Sequence, residues 1–556
     1  MLPVTKHKER IQQLIKDHQV IILSAETGSG KSTQIPQFID GTVVIAQPRR
    51  LAAMSLAKRV SNEMSSDCVS YAVRFDDNIN KNTRILFCTD GWLLRQSLKD
   101  PLLKKYSVII LDEVHERGLR SDILLGFVKQ ILPKRKDLKL ILQSATMDQQ
   151  LLGNYFREFD VKLINLPIKP HVVTLNHLKD PPEDYKQAAV QQIIDIHTTK
   201  PTGHILCFMP GMEDIEGLAD MVKRKIKILQ KDSLIKDQKL FPQLSIMTMY
   251  AANFNSKVYQ KLYAISEHRK LIISSNIAET SVTIPGIVYV IDSGLMKVKR
   301  CINGIEQLCE ESCSKQNCRQ RMGRAGREQP GECYRLFTYK HYLEMTEEID
   351  AELKRVNLSS TLLLLKGLNL HINQFDWLEK PEMQNMLTAV QQLLTINAIE
   401  PTPEAENGDL FKITKLGRQM TQYPLDPPLA RTILESIKLN CASHVIDIVS
   451  CLSVESIMLN VYDEDVREKA WSQWSKFKHS EGDHLTYFNI LHGYMDSKKN
   501  KEYCKEHYLN EKSLKQVVLI RTQLRHLCNL TKTNIPSDLN TEDVIYCFFK
   551  GLWCSF

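Results

Sequence analysis

The chain has 556 residues, of which 43% are hydrophobic and 25% charged, the balance of an ordinary globular protein, and its length allows about three to five domains. Subtracting 65 acidic from 73 basic residues leaves +8, which permits a polyanionic partner without by itself implying one. No apolar run reaches the roughly 18 residues of a membrane span, the opening MLPVTKHKER carries charge where a secretion signal needs its apolar core, and the fourteen cysteines form no disulfide framework. A soluble chain with reduced thiols, cytosolic or nuclear, is the expectation.

The first strong signal is AETGSGKST, Ala25 to Thr33, directly after the apolar run VIILS and before the helical pattern STQIPQFI. A phosphate-binding loop needs small residues so that backbone N–H groups can cradle oxygens, a lysine to reach the β and γ phosphates and a hydroxyl for Mg²⁺. Gly28, Gly30, Lys31 and Ser32 supply these, while Ala25 stands where the general pattern has its first glycine.

Further β-branched runs follow, each with a turn and a helical pattern: TVVIAQP, TRILFCTD, SVIILDE and LKLILQSAT. Continuous apolar strands alternating with helices predict a parallel sheet covered on both faces. In SVIILDEVHERG, Asp112 stands 81 residues beyond Lys31, with Glu113 next to it, at the C-terminal end of a strand, the edge where ligands of open parallel sheets bind. Asp112 can hold Mg²⁺ and Glu113 can orient and deprotonate the attacking water. LINLPIKPHVV, with two prolines, separates this series from a second one that begins near Gly203 with GHILCFMP, LSIMTMY, RKLIISS and IVYVIDSG. Two tandem α/β domains are predicted.

VKRCINGIEQLC, 298 to 309, places two apolar-rich arms around Asn303-Gly304, a strong hairpin signal. QRMGRAGR, Gln320 to Arg327, spaces three arginines by three around glycines. That suits a finger approaching phosphate, where an arginine is worth about 10³ to 10⁵ in rate. Arg324 and Arg327 are the candidates. Cys301, Cys309, Cys313, Cys318 and Cys333 crowd this region, but no CxxC pair favours structural zinc. The lysine-rich 221 to 239 segment reads as a solvated helix face, and His484 as a structural residue at a helix start.

Beyond about residue 350 the spacing becomes helical, with Leu358, Leu362, Leu365 and Leu368 on one face and Met386, Val390, Leu393 and Leu394 on another. PTPEAENGD and YPLDPP break the pattern. Residues 1–165 and 166–340 are predicted as the two α/β domains, 341–418 as a small helical domain, and 419–535 as a helical bundle.

The ordered set AETGSGKST, AQPRR, TDGWLLR, DEVH, SAT, SNIAETSVTIPG and QRMGRAGR resembles the DEAH-box RNA helicases of superfamily 2, particularly the branch typified by the pre-mRNA splicing helicases. LKRVNLSSTLLLLKGL, TKLGRQMTQYPLDPPLA, CLSVESI and KFKHSEGDHLT are similar to that branch's winged-helix and ratchet-like domains. The resemblance implies two tandem RecA-like parallel-sheet motor domains, then winged-helix and ratchet-like domains. It implies ATP as substrate, with other nucleoside triphosphates accepted, and Mg²⁺ on Ser32 and Asp112. Catalysis would fall to Lys31, Asp112, Glu113, Gln320, Arg324 and Arg327.

The same resemblance implies a nucleotide site of Glu26, Thr27, Gly28, Ser29, Gly30, Lys31, Ser32 and Thr33, with Arg59 and Tyr263 sandwiching the base. Arg49, Arg74, Thr89 and Thr280 would contact the RNA backbone, and His115, Ser144 and Thr146 would couple hydrolysis to domain movement. The 298–309 hairpin would be the wedge at a duplex junction. Implied partners are single-stranded RNA or ribonucleoprotein and a glycine-rich-motif activator, for a monomer within a larger nuclear complex, with a cytoplasmic pool as alternative and no membrane.

Val114 replaces the alanine of DEAH, and Trp92, Ala46, Pro285 and Met322 depart from the family's commoner residues; none removes a phosphate, metal or arginine-finger group. VIYCFFKGLWCSF resembles the start of the family's OB-fold and the sequence stops at Phe556, so 536–556 reads as the start of a missing or truncated OB-fold. That puts the activator in doubt. A helicase scaffold that clamps RNA or a partner without turnover is the competing reading, and DNA as substrate stays open, because single-strand backbone contacts discriminate weakly apart from the 2′-OH.

Overall fold

The computed structural model describes residues 2–26, 28–145, 149–166, 171–231, 243–250, 256–280, 284–302, 304–402, 410–454, 456–459, 461, 464–530 and 540–552. The chain divides into two compact units. The first holds Met1–Val73, Asp77–Ile302 and Glu306–Val356; the second holds Arg74–Asp76, Asn303–Ile305 and Asn357–Phe556.

The first unit carries two lobes, each built on one sheet. In the N-terminal lobe the strands are β1 (Val20–Ala25), β2 (Val43–Gln47), β3 (Val69–Val73), β4 (Asp76–Asp77), β5 (Ile85–Thr89), β6 (Val108–Leu111), β7 (Lys139–Ser144) and β8 (Val161–Leu166), in the order β4-β3-β5-β2-β6-β7-β1-β8. Val20 pairs with Leu140 on one side and Val161 on the other, both parallel. The central strands are buried on both faces, as β2, β5 and β6 show along their whole length, which explains their continuous Val, Ile and Leu runs.

Because these strands are parallel, the segments that leave β1, β2, β5, β6 and β7 all emerge at the same sheet edge. Gly28 to Gly30, Arg49, Thr89, Asp112 and Ser144 are thereby set along that edge. Helices α1 (Lys8–Asp17), α2 (Lys31–Phe38) and α3 (Arg50–Met64) cover the sheet. Ile11, Ile35, Phe38, Ala57 and Val60 pack into one core with Ile21, Leu23, Ile45 and Phe87.

The second lobe's strands are β9 (Val173–Leu178), β10 (His204–Phe208), β11 (Leu244–Met249), β12 (Arg269–Ser274), β13 (Ile287–Asp292) and, after the hairpin, β16 (Gly331–Thr338), in the order β11-β12-β10-β13-β16-β9. Their pairings are parallel. Strand β9 lies ahead of Gly203, so the second sheet begins earlier than the 203 strand series predicted from sequence. Its burial explains the omission: the pattern is half-buried rather than apolar. Phe208, Leu262, Ile272 and Ala325 form a second-lobe core against which Leu51 of α3 packs.

The hairpin strands β14 (Leu295–Ile302) and β15 (Ile305–Ser312) form a separate two-stranded sheet. Arg300 Nε and Nη2 each donate to the Glu311 carboxylate at 2.8 Å, while Ile302, Ile305 and Leu308 are exposed. Gly304 has φ +84°, the left-handed geometry such a turn asks of glycine; Asn303 lies outside the described residues. Helix α8 (Met212–Lys231) takes up the start of the lysine-rich segment, whose remainder, 232 to 239, also lies outside them.

In the second unit, α12 (Ser359–Gly367), α13 (Met383–Thr395) and α14 (Lys415–Gln422) surround a short antiparallel pair, Ile399–Pro401 with Phe411–Ile413. This is the winged-helix arrangement, and its two three-residue strands went unread in sequence. Leu358, Leu362 and Leu365 are fully buried. The helices α15 (Pro427–Lys438), α16 (Ala442–Leu452), α18 (Asp483–Asp496), α20 (Glu511–Leu527) and α21 (Thr541–Leu552) make the bundle. Asp447 is buried there against Arg521 Nε at 2.6 Å and His492 Nε2 at 3.0 Å, and His484 lies 4.6 Å from the Phe548 ring.

Candidate active site

Between β1 and α2 the backbone turns through Gly28 at φ +90° and Gly30 at φ +92°, conformations costly to any residue with a Cβ. Val4 N donates to Ser29 O at 3.1 Å, and Leu2 lies 3.0 Å from where a Gly30 Cβ would stand. The segment before α1 thus braces the loop, a role no motif in the sequence announces. Lys31 starts α2, is 3% exposed and places Nζ 3.2 Å from Glu113 Oε1.

Asp112 and Glu113 leave the end of β6. Gln47 Nε2 donates to Asp112 Oδ2 at 2.6 Å and Glu113 N to Asp112 Oδ1 at 2.9 Å. Burial, with the neighbouring Glu113 charge, pushes the Asp112 carboxyl up to about 6 despite Lys31, Ser32 and Gln47. Glu113 itself has φ +53°, a strained value for a side-chain-bearing residue, costing about 1 to 3 kcal/mol and typical of sites where geometry serves chemistry.

His115 follows on a 3₁₀ turn, Val114–Glu116. Burial pulls its pKa down to about 4, so the ring is neutral. Its Nδ1 accepts from Ala145 N at 3.3 Å and lies 3.5 Å from Glu113 Oε2. His115 therefore bridges the β6 turn to the segment leaving β7. Ser144, the last residue of β7, is buried with an Oγ that hydrogen-bonds no group among the described residues; Thr146 lies outside them, as does Thr27.

The second lobe contributes arginines. Arg321 is structural: Nη1 donates to Asp292 Oδ1 at 2.7 Å and Nε to Glu279 Oε2 at 3.2 Å, with Phe208's ring 5.0 Å from the guanidinium. Burial disfavours its charge, but the two carboxylates outweigh burial and hold the charge firmly. Arg324, 4% exposed, donates through Nη2 to Glu279 O; burial and Arg327 pull its pKa down while Glu113 acts in the opposite sense.

Burial pulls Arg327 down to about 10, opposed by Tyr263, Glu113 and Glu26, and a Cβ on Gly28 would stand 3.9 Å from its Nη1. Gly326 permits this placement, because a Cβ there would come within 2.7 Å of His171 O.

One cavity of about 760 Å³ is lined by Gly28, Lys31, Ser32, Glu113 and Arg59 from the first lobe and Gln320 and Arg327 from the second, whereas Asp112, Arg324 and Tyr263 stand outside its lining. Glu26 and Thr33 also line it, and Ser29 is fully buried beneath. Arg59 Nε donates to Glu63 Oε1 at 2.9 Å, which fixes the guanidinium at the rim. Tyr263 closes helix α9 (Ser256–Tyr263), 38% exposed.

The residues expected to meet a polynucleotide are divided. Arg49 and Thr280 converge on Glu116, a residue the sequence reading did not single out. Thr89 ends β5 opposite Gln47. Arg74 belongs to the second unit, where its Nε donates to Pro424 O at 2.7 Å.

Four family models match successive stretches of the chain. The DEAD/DEAH box helicase model matches residues 5–152, the helicase conserved C-terminal domain 185–329, and the winged-helix and ratchet-like parts of the helicase-associated domain 389–425 and 426–487. A Homo sapiens protein named ATP-dependent RNA helicase DHX33 is 37% identical over 577 residues, covering 100% of this chain and 79% of its own length. Its Drosophila melanogaster namesake is 37% identical over 571 residues, covering 99% and 80%.

Proposed function

The chain belongs to the DEAD/DEAH-box helicase family of superfamily 2, an ATP-hydrolysing enzyme, and from that premise we propose that its substrate is RNA, that it moves 3′→5′ on a single strand, and that it opens duplexes or remodels ribonucleoprotein. The observation that carries the reading is the two-lobed cavity, in which Lys31 and Glu113 from one sheet edge meet Arg327 from the other lobe. Phosphoryl transfer needs little covalent help from protein and depends on positioning and charge stabilisation, and this cavity supplies both.

Lys31 and the N–H groups of the 28–33 loop take the phosphates. Glu113 is placed to orient water and receive its proton. Arg324 and Arg327 stabilise the charge that develops on the transferred group, so hydrolysis requires both lobes together. Gln320, on the same wall, positions the phosphate and water. Arg59 and Tyr263 stack on the base without reading its edge, which makes nucleotide choice loose. Ser32 and the buried Asp112 carboxylate form an oxygen-only donor set that suits a hard divalent cation, and Mg²⁺ held there would neutralise phosphate charge.

His115, between Glu113 and Ala145, links the base to the Ser144–Thr146 segment and so couples hydrolysis to lobe movement. Arg49, Arg74, Thr89 and Thr280 hold backbone phosphates, contacts that position a strand without specifying sequence, and the 298–309 hairpin splits the duplex. Work of this kind belongs to pre-mRNA splicing or ribosome biogenesis in the nucleus, as a monomer within a larger complex. A glycine-rich-motif activator is a partner only where an OB-fold is present.

Strand displacement tests the reading. A fluorescent RNA duplex with a 3′ single-stranded tail should be opened in the presence of ATP and Mg²⁺, and the same duplex with a 5′ tail should not. Opening of the 5′-tailed duplex alone would overturn the direction. No opening together with no RNA-stimulated ATPase would overturn the function.

A further inference from the structure

Glu116 ends the 3₁₀ turn that begins just after Glu113. Its carboxylate is held by side chains from both lobes. Arg49 Nε donates to Oε2 at 3.3 Å and Arg49 Nη2 lies 3.3 Å from Oε1, while Thr280 Oγ1, from the second lobe, donates to Oε1 at 2.5 Å. Arg49 Nη1 reaches the second lobe as well, donating to Asn276 O at 3.2 Å. Burial raises the Glu116 pKa, but Arg49 and the Thr280 hydroxyl offset it and hold the carboxyl below the usual range. Glu116 is therefore an anion seated at the meeting of the lobes.

A guanidinium and a hydroxyl converging on one pair of oxygens is also a donor set that takes a phosphodiester. Arg49 keeps 27% and Glu116 17% of their side-chain surface exposed while Thr280 is buried, so a strand would approach this site from the Arg49 side. We propose that Glu116 is an internal competitor for the RNA backbone: a phosphate and this carboxylate exclude one another at Arg49 and Thr280. The inference rests on the reading of those two residues as RNA contacts.

The competition has a path to the chemistry. Glu116 N donates to Glu113 O at 2.9 Å, and the turn is bounded by left-handed residues on both sides, Glu113 at φ +53° and Arg117 at φ +49°. Such a turn has few conformations, and displacement of Glu116 from Arg49 shifts the segment that carries Glu113. Glu116 touches no reacting atom and is a positioning residue.

The test uses the full chain and a fluorescein-labelled oligouridylate, read by anisotropy. Glu116→Gln keeps the shape and removes the charge, so it should bind RNA about five- to tenfold tighter, the scale of one ordinary hydrogen bond's net contribution. Glu116→Asp keeps the charge but shortens its reach, so it should fall between the native chain and Glu116→Gln, and it carries the test where Glu116→Gln does not fold. The RNA concentration that half-stimulates ATPase should fall in parallel, with KM for ATP within about twofold of native.

Arg49→Ala and Thr280→Ala should both weaken RNA binding. If they do and neither Glu116 variant tightens it, the competitor role is wrong while the RNA contacts stand. If Arg49→Ala and Thr280→Ala leave affinity unchanged, the RNA-contact reading itself fails, and this inference with it.

Discussion

Lys31 Nζ and Glu113 Oε1 are 3.2 Å apart, with 3% and 10% of their side chains exposed, so the lysine expected to grip phosphate and the carboxylate expected to act on water are each other's partners. On the proposed reading, nucleotide phosphates compete with Glu113 for Lys31, and binding frees Glu113 to act as the base. Lys31→Ala should abolish the upward shift in Tm that a non-hydrolysable ATP analogue gives the native chain, a shift set by mass action on the folded state. An equal shift in native and variant would show that Lys31 does not hold the nucleotide.

Three arginines at spacing three have different fates. Arg321 neutralises two buried carboxylates, Glu279 and Asp292, and its removal leaves both uncompensated. Arg321→Ala should cost about 3 to 5 kcal/mol of stability and lower Tm before any effect on turnover is interpretable. Arg327→Ala should instead reduce ATP turnover by about 10³-fold or more while nucleotide binding survives. Chemical denaturation and phosphate release measured on both variants would separate the two roles; equal behaviour would refute the division.

Asp90, buried at the start of helix α4 (Asp90–Lys99), has its carboxyl pushed up to about 7 by burial, although Ser121 donates to it. The folded state therefore binds more protons than the unfolded chain between about pH 4 and pH 7. Stability from this group is fully present at low pH and falls as pH rises through that window, by at most about 1.4 kcal/mol per unit. Asp90→Asn should flatten this slope. Thermal unfolding at pH 5 and pH 8 should show a smaller loss in the variant; an unchanged loss would place the slope elsewhere.

The hairpin should separate duplex opening from hydrolysis. Replacing 302–305 with a Gly-Ser turn keeps the Arg300–Glu311 pair and removes no residue that lines the cavity. RNA-stimulated ATPase should stay within about threefold of native while opening of a 3′-tailed duplex falls much further, provided RNA binding is first verified at low salt, where phosphate contacts are strongest. Equal loss of both activities would make the segment a folding element.

The loop at 25–33 and the Asp112–Glu113 pair were legible because each follows an uninterrupted apolar strand, and parallel pairing then fixes where the following residues stand. Arg324 and Arg327 were legible for a related reason, glycines beside arginines. Glu116 was not: in VHERG it reads as one more surface charge, and only the arrival of Thr280, 164 residues later, shows that its carboxylate is held from both lobes. Arg321 likewise shows its structural role only once Asp292 and Glu279 are brought beneath it. Strand β9 and the pair Ile399–Pro401 with Phe411–Ile413 were missed because short or half-buried strands lack an apolar run and are made by their neighbours.

If Glu113 is the base in an RNA-stimulated ATPase, steady-state phosphate release with and without single-stranded RNA will show it. The native chain should hydrolyse ATP with Mg²⁺ and be stimulated by RNA. Glu113→Gln should bind a fluorescent nucleotide as the native chain does yet lose about 10²- to 10⁴-fold in turnover, the scale of general-base catalysis. Turnover by Glu113→Gln at the native rate, with RNA stimulation intact, would mean that Glu113 is not the base.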